Sequence, residues 1–394
     1  MLTSLAIIFL SGLLLGNLFQ KIKLPSLLGM ILVGILIGPY AFNLIDQSVL
    51  NISSDLRQIA LVIILTRAGL SLDLSALKKV GRPALLMCFI PACFEILATI
   101  ILAPLLLKVT TLDAAIMGSV LAAVSPAVLV PRMIKLMDEG YGTNHSIPQL
   151  ILAGASVDDI FVIVLFTAFT SLAATGNTSF GSFLQIPISI ILGIVVGMII
   201  ALMLNLLFKK FKMRDTIQII VLLSFSFLLI QLENSLKNII PISGLLAIMT
   251  LGIFFKQKND SLANKLSNQY NKLWAGAEII LFVLVGATVD LQYALSAGAI
   301  TIVLVVIALL FRMIGVACCL IKTDLKKKER FFCMIAYTPK ATVQAAIGGT
   351  ALAMGLSCGQ IVLTVAILSI LITAPFGAIC IDCLYKRLLD KTKK

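Results

Sequence analysis

"AAVSPAVLVP", residues 122–131, puts Pro126 and Pro131 into a run that is otherwise apolar. A proline inside a helix removes one backbone hydrogen bond and collides with the preceding turn, so this run cannot be one regular helix. A second run, "YTPKATVQAAIGG" (337–349), carries Pro339 in a similar setting. In lipid, backbone groups freed by such breaks are tolerated only inside the protein or beside a water-filled cavity. The meaning of both stretches therefore turns on whether the chain is a membrane protein.

Composition decides that. The chain has 394 residues, 60% of them hydrophobic and only 12% charged, with a mean hydropathy of +1.10. A soluble domain of this length carries about 25% charged residues. Reading for apolar runs long enough to span a bilayer gives thirteen, from 2–20 to 359–384. Those that matter most below are 25–42, 57–77, 84–107, 113–135, 148–174, 240–256, 271–290, 293–321 and 329–354. The fold class expected is an all-α polytopic membrane protein of thirteen transmembrane helices.

The positive charges sort by loop. Twenty-five of the 31 Lys and Arg residues fall in alternate loops and in the C-terminal tail, among them Lys78, Lys79, Lys212, Lys393 and Lys394. The intervening loops hold only Arg57, Lys108 and Lys237, which leaves Arg67, Arg312 and Lys340 within spans. Basic loops face the cytoplasm, so the expected topology has the N-terminus outside and the C-terminus inside, in the cell (inner) membrane. The same rule accounts for the net charge of +13 without nucleic acid as a partner. The first run has no basic residues before it and reads as a retained span. Most of the eight cysteines lie in or beside spans, which implies no disulfide framework.

An inverted repeat is legible. "AGLSLDL" (68–74) ends the third run and "VGATVDL" (285–291) ends the tenth, 217 positions apart, and Pro25 and Pro241 open the second and ninth runs. Gly-Ile pairs follow at Gly34 and Gly252. Runs seven apart face opposite ways in the membrane, so runs 1–6 and 8–13 are expected to be inverted copies with the seventh as connector. The two proline breaks fall in repeat-related runs, the fifth and twelfth. Paired broken helices at corresponding positions point to a midplane binding site, where half-helix dipoles and freed carbonyls meet a small ion.

Into the sixth run "GASVDDIFVIVLF" (154–166) places two adjacent carboxylates, Asp158 and Asp159. Each costs about 2.5 to 3.5 kcal/mol at the centre of an inserting helix, so a compensating function is expected. Neighbouring helix residues point about 100° apart, so the two cannot face one partner.

"SPAVLVP", "DD", "PKATVQAAIG" and "RAGLSLDL" (67–74) together resemble the monovalent cation:proton antiporters, in the branch of the NHA-type sodium or lithium/proton exchangers and their bacterial relatives. The resemblance covers essentially the whole chain. It implies a homodimer in which a core bundle (81–178 and 292–394, the latter with the basic tail) moves against a dimerisation bundle (1–80 and 211–291), with 179–210 as linker helix. It implies Asp159 as principal carrier of ion and proton, with Asp158 beside it. It also implies a structural ion pair between Glu95 and Arg312.

Lys340, just beyond the second break, reads as the counter-ion of Asp158 and as a second proton carrier. Ser125, Ser156 and Thr342 sit beside the breaks or the aspartates and could supply oxygen ligands. Arg67 and Glu278 could line or gate a cavity. His145, the only histidine, lies in a cytoplasmic loop, as a solvated residue or a pH sensor.

The function expected is exchange of Na⁺ or Li⁺ against H⁺ across the bilayer, with no cofactor, and K⁺/H⁺ exchange on the same scaffold as the alternative. A passive cation channel fits paired broken helices less well. An intramembrane aspartyl protease would need a GxGD motif, which is missing.

Overall fold

The computed structural model describes all residues except 73–79, 176–179, 212, 237–241 and 393–394, and the side chains of 174–186, 291 and 293–297. Asp73 and Leu74 of the first repeat motif, Lys78, Lys79, Lys212, Lys237, Pro241, Lys393 and Lys394 thus lie outside the described residues.

Among the described residues each apolar run falls mainly on helix, and no strand forms beyond one isolated bridge, Tyr141 to Lys391. Among the described residues nine segments are long and apolar enough to cross a membrane, and one of them, Thr111–Glu139, includes the first proline break. The other four expected spans differ from a plain apolar rod for separate reasons. Ser26–Ile37 is only 12 residues long because Gly38 turns extended (φ −69°, ψ 173°) ahead of Pro39, a residue that disfavours helix at the position before it. Ser53–Ser71 carries Asp55, Arg57 and Arg67. Gly244–Lys258 has 15 residues. The twelfth run is split into Lys327–Ala336, Thr342–Gly348 and Thr350–Ala353.

The chain packs as two compact units. One comprises Met1–Ser54, Asp73–Val162 and Phe282–Lys394, and the other Asp55–Leu72 and Ile163–Leu281. In the first unit Ile90–Leu107 and Leu291–Cys319 pack along their lengths, and both broken spans pack on Gly359–Leu388. In the second, Phe180–Lys210 packs on Gly244–Lys258.

Very close helix crossings made by glycine occur in both units, and one in each joins residues of the repeat motifs. In the first, a Cβ on Gly286 would stand 3.1 Å from Gly34 Cα, and one on Gly34 would collide with the Val283 carbonyl oxygen. In the second, a Cβ on Gly252 would stand 2.7 Å from the Gly69 carbonyl carbon. Gly69 and Gly286 occupy the same place in the two repeat motifs, as do Gly34 and Gly252 in the Gly-Ile pairs. The two crossings are therefore counterparts under the repeat, and side chains at any of the four positions would hold the backbones apart.

Candidate functional site

The first broken span runs as Thr111–Leu121, stops, and resumes at Pro126–Glu139. Pro126 takes the first helical position, where its missing N–H costs nothing, and forces Ser125 before it into an extended conformation (φ −86°, ψ 112°). The second stops at Ala336 and resumes at Thr342, with Pro339 in the gap. The two gaps cross: the Ser125 N–H donates to the Pro339 carbonyl at 2.8 Å.

A helix ending inside a protein leaves its last carbonyls without partners unless something donates to them. Here three side chains from two other spans do so. Lys340 Nζ donates to Leu121 O at 2.5 Å, Arg312 Nη1 donates to Ala122 O, and Gln344 Nε2 donates to Ala123 O at 2.8 Å. On the nitrogen side, Val124 N–H donates to Asp158 Oδ2 at 3.0 Å. The non-helical linker is thus closed on both edges.

Four charged side chains form the frame around it, all of them buried: Glu95, Asp158, Arg312 and Lys340. Arg312 reaches Asp158 Oδ2 at 2.7 Å and Glu95 Oε2 at 3.1 Å, and its Nε donates to Tyr337 O at 2.9 Å. Lys340 Nζ straddles the Glu95 carboxylate, 2.8 Å from Oε2 and 2.7 Å from Oε1. Two cations thus balance two anions. Lys340 does not pair with Asp158 as the sequence suggests, because Arg312 already occupies that carboxylate and Glu95 lies nearer the lysine. The expected contact between Glu95 and Arg312 is present.

Asp159 stands outside this balance. Among the described residues it makes no ion pair or hydrogen bond, and its Oδ1 is buried without a partner. Asp158 Oδ1 and Ser125 Oγ are likewise buried and unpartnered. These oxygens are free acceptors beside the crossing, and a partly dehydrated monovalent cation is bound by such oxygens. Among the described residues no group of three or more His, Cys, Asp or Glu side chains is placed to hold a metal ion.

The remaining candidates divide. Thr342 opens the second half-helix and is buried. Ser156 is exposed and gives its proton to Leu152 O at 2.7 Å, the ordinary back-bond of a serine in a helix. Arg67 and Glu278 lie in the other unit, both half-buried and within range of each other's charge. His145 Nδ1 lies 3.1 Å from both oxygens of Glu329, so it is not a free loop residue. Gln344 carried no signal beyond its place within the "PKATVQAAIG" stretch, and the Asp158–Arg312 pair carried none at all.

Comparison with known proteins agrees with this architecture. A family model described as "Sodium/hydrogen exchanger, transmembrane" matches residues 5–386. Sodium/hydrogen exchanger 9B2 of Mus musculus is 34% identical over all of this chain and 74% of its own length. Sodium/hydrogen exchanger 9B1 of Homo sapiens is 32% identical over 99% of this chain and 78% of its own length. The sodium proton antiporter MjNhaP1 from Methanocaldococcus jannaschii, solved at pH 8, superposes with a TM-score of 0.85 at 20% identity, covering 98% of both chains. With the two crossed breaks in place and the family model matching nearly end to end, the chain belongs to the sodium/hydrogen exchanger family.

Proposed function

We propose that this chain exchanges Na⁺, or Li⁺, for H⁺ by alternating occupancy of Asp159 and Asp158. It is a secondary transporter and not an enzyme, as its family membership and its 9B relatives indicate. The observation that carries the site assignment is the charge balance at the crossing. Glu95 and Asp158 are matched by Arg312 and Lys340, and Asp159 is the surplus carboxylate with a buried free oxygen. Such a group holds a proton or a cation but is costly when it holds neither.

In this cycle Asp159, with Asp158 Oδ1 and the hydroxyls of Ser125 and Thr342, receives a cation that has shed part of its water. Arrival of the cation displaces the proton from Asp159. Arg312 keeps its charge throughout and holds Asp158 and the linker carbonyls in place, because a guanidinium does not release its proton. Lys340 braces the end of the first half-helix against Glu95, and a second proton leaves from it if transport is electrogenic. Ser156, whose proton goes to Leu152 O, offers its hydroxyl oxygen as a further ligand, and Arg67 and Glu278 line or gate the path.

The thirteen-span topology, with the N-terminus outside in the cell membrane, follows from the loop charges. Residues 81–178 and 292–394 form the moving core, since both breaks and the four-charge frame fall within them, and 1–80 with 211–291 form the dimerisation bundle. The deciding experiment is transport in proteoliposomes with Na⁺, Li⁺ and K⁺ in turn under an imposed pH gradient. Cation movement against its own gradient, with Na⁺ or Li⁺ preferred, is expected. Purely downhill flux would make the chain a channel, and K⁺ preference would move it to the alternative substrate.

A further inference from the structure

The Ala123–Val124 peptide is gripped at both ends by side chains from different helices. Its N–H donates to Asp158 Oδ2 at 3.0 Å and its oxygen accepts from Gln344 Nε2 at 2.8 Å. Gln344 is buried, on the half-helix Thr342–Gly348, and the same Nε2 lies 3.3 Å from Leu121 O. Both amide hydrogens are thereby directed at carbonyls of the first broken span. Rotating the amide by half a turn would set its oxygen against two other oxygens, so this orientation is the one that forms hydrogen bonds. Gln344 Oε1 is left buried and without a partner.

The other two donors to this linker are the cations Arg312 and Lys340. Both are also committed to carboxylates. Gln344 is the neutral donor among them, with no ion pair to serve. A hydrogen bond to one end of a peptide polarises it and strengthens the bond made at the other end. Gln344 thus acts on Asp158 without touching it: it turns the peptide plane so that the N–H meets Oδ2. With Oδ2 taken by Val124 and Arg312, the second oxygen of Asp158 is the one left open.

We propose that Gln344 is a positioning residue for cation exchange, orienting the Ala123–Val124 peptide so that Asp158 presents Oδ1 to the ion, and that it thereby sets discrimination between Li⁺ and Na⁺. The inference rests on the reading of Asp158 and Asp159 as the cation site. A rigid set of oxygens discriminates ions of different radius, and a loosened one adapts to both.

The test is Gln344→Met in proteoliposomes, with KM and kcat measured separately for NaCl and LiCl. The net worth of one neutral hydrogen bond corresponds to up to about tenfold, so KM for Na⁺ is expected to rise several-fold to tenfold while kcat changes by less than about threefold. The Li⁺/Na⁺ ratio of KM values is expected to move towards one. A purely structural role would lower the active fraction, and hence apparent kcat, with KM and the ion ratio untouched, and that result overturns the proposal. Gln344→Asn, which keeps the amide but withdraws it by one methylene, serves if the methionine variant does not yield folded protein, with the same expectation. Wild-type KM and ion ratio in either folded variant overturns the proposal, as does failure of both variants to fold. Asp159→Asn run in parallel separates the two readings. If that variant transports normally the cation-site assignment falls, whereas an inactive Asp159→Asn beside an unaltered Gln344→Met removes only the role of Gln344.

Discussion

Lys340 Nζ lies between the two oxygens of Glu95, at 2.8 and 2.7 Å, on the same carboxylate that Arg312 engages at 3.1 Å. One acidic side chain from Ile90–Leu107 therefore anchors cations belonging to two other segments, one of which is the second broken span. Glu95 is the keystone of the buried charge frame.

Replacing Glu95 by Ala leaves two buried cations facing one carboxylate, Asp158. Removing one partner of a buried ion pair costs about 3–5 kcal/mol. Thermal unfolding in detergent should fall by several degrees or the protein should fail to fold. A melting temperature unchanged from wild type would show that water reaches and solvates these cations.

The two adjacent aspartates should respond differently to the same substitution. Asp158→Asn weakens bonds to both Arg312 and Val124, so it should lose stability as well as exchange. Asp159 has no such bonds, so Asp159→Asn should abolish proton-coupled flux while leaving the melting temperature and elution volume near wild type. Equal stability losses in the two variants would contradict the geometry.

Gly34→Ala places a methyl into the Val283 carbonyl, and forced overpacking costs about 1–3 kcal/mol. Gly298→Ala, in the helix Leu291–Cys319, meets nothing within 4 Å. It should be neutral or stabilising by up to about 1 kcal/mol through helix propensity. Thermal melts should place Gly34→Ala below wild type and Gly298→Ala at or above it.

The contact between Lys326 and Asp390, 2.5 Å long and exposed, supplies a pH prediction outside the membrane. The lysine, through its hydrogen bond and charge, holds the Asp390 carboxyl below its ordinary value, and the carboxylate raises Lys326. A depressed carboxylate contributes stability above its unfolded pKa, near about 3.9, and loses that contribution as pH falls through the lower folded value. The raised lysine contributes below its unfolded value of about 10.4, and its share is lost as pH climbs through the folded one. The melting difference between wild type and Asp390→Asn should therefore stay flat from about pH 5 to 9. It should shrink below the ordinary carboxylate range and again as pH rises through the raised lysine value. A difference that changes between pH 6 and 7 would contradict this assignment.

Proline made the two breaks readable, since its ring acts locally and leaves its mark in the chain itself. The repeat was readable for a related reason: Gly69 and Gly286 are fixed by backbone contact that no other residue permits. Charge pairing was readable only for Glu95 with Arg312, through the family resemblance. Arg312 joins Asp158 across 154 positions and Glu95 across 217, and Lys340 joins Glu95 across 245. Which cation takes which carboxylate depends on helix rotation and reach, quantities that spacing along the chain does not encode. Gln344 was hidden for the same reason, because a glutamine declares its partners only once both amide hydrogens have somewhere to go.

The linker between Leu121 and Pro126, with its Val124 and Ser125 amides both bonded, has one more outcome. An irregular stretch at the heart of a transporter would ordinarily be expected to swap its amide hydrogens for deuterium quickly. Here Val124 N–H is taken by Asp158 and Ser125 N–H by Pro339, so the two amides are held as firmly as those of a regular helix while the crossing is intact. Their deuterium uptake becomes a clock for how often the two broken spans part, read from a peptide covering residues 122–125 without any chemical label on the ion.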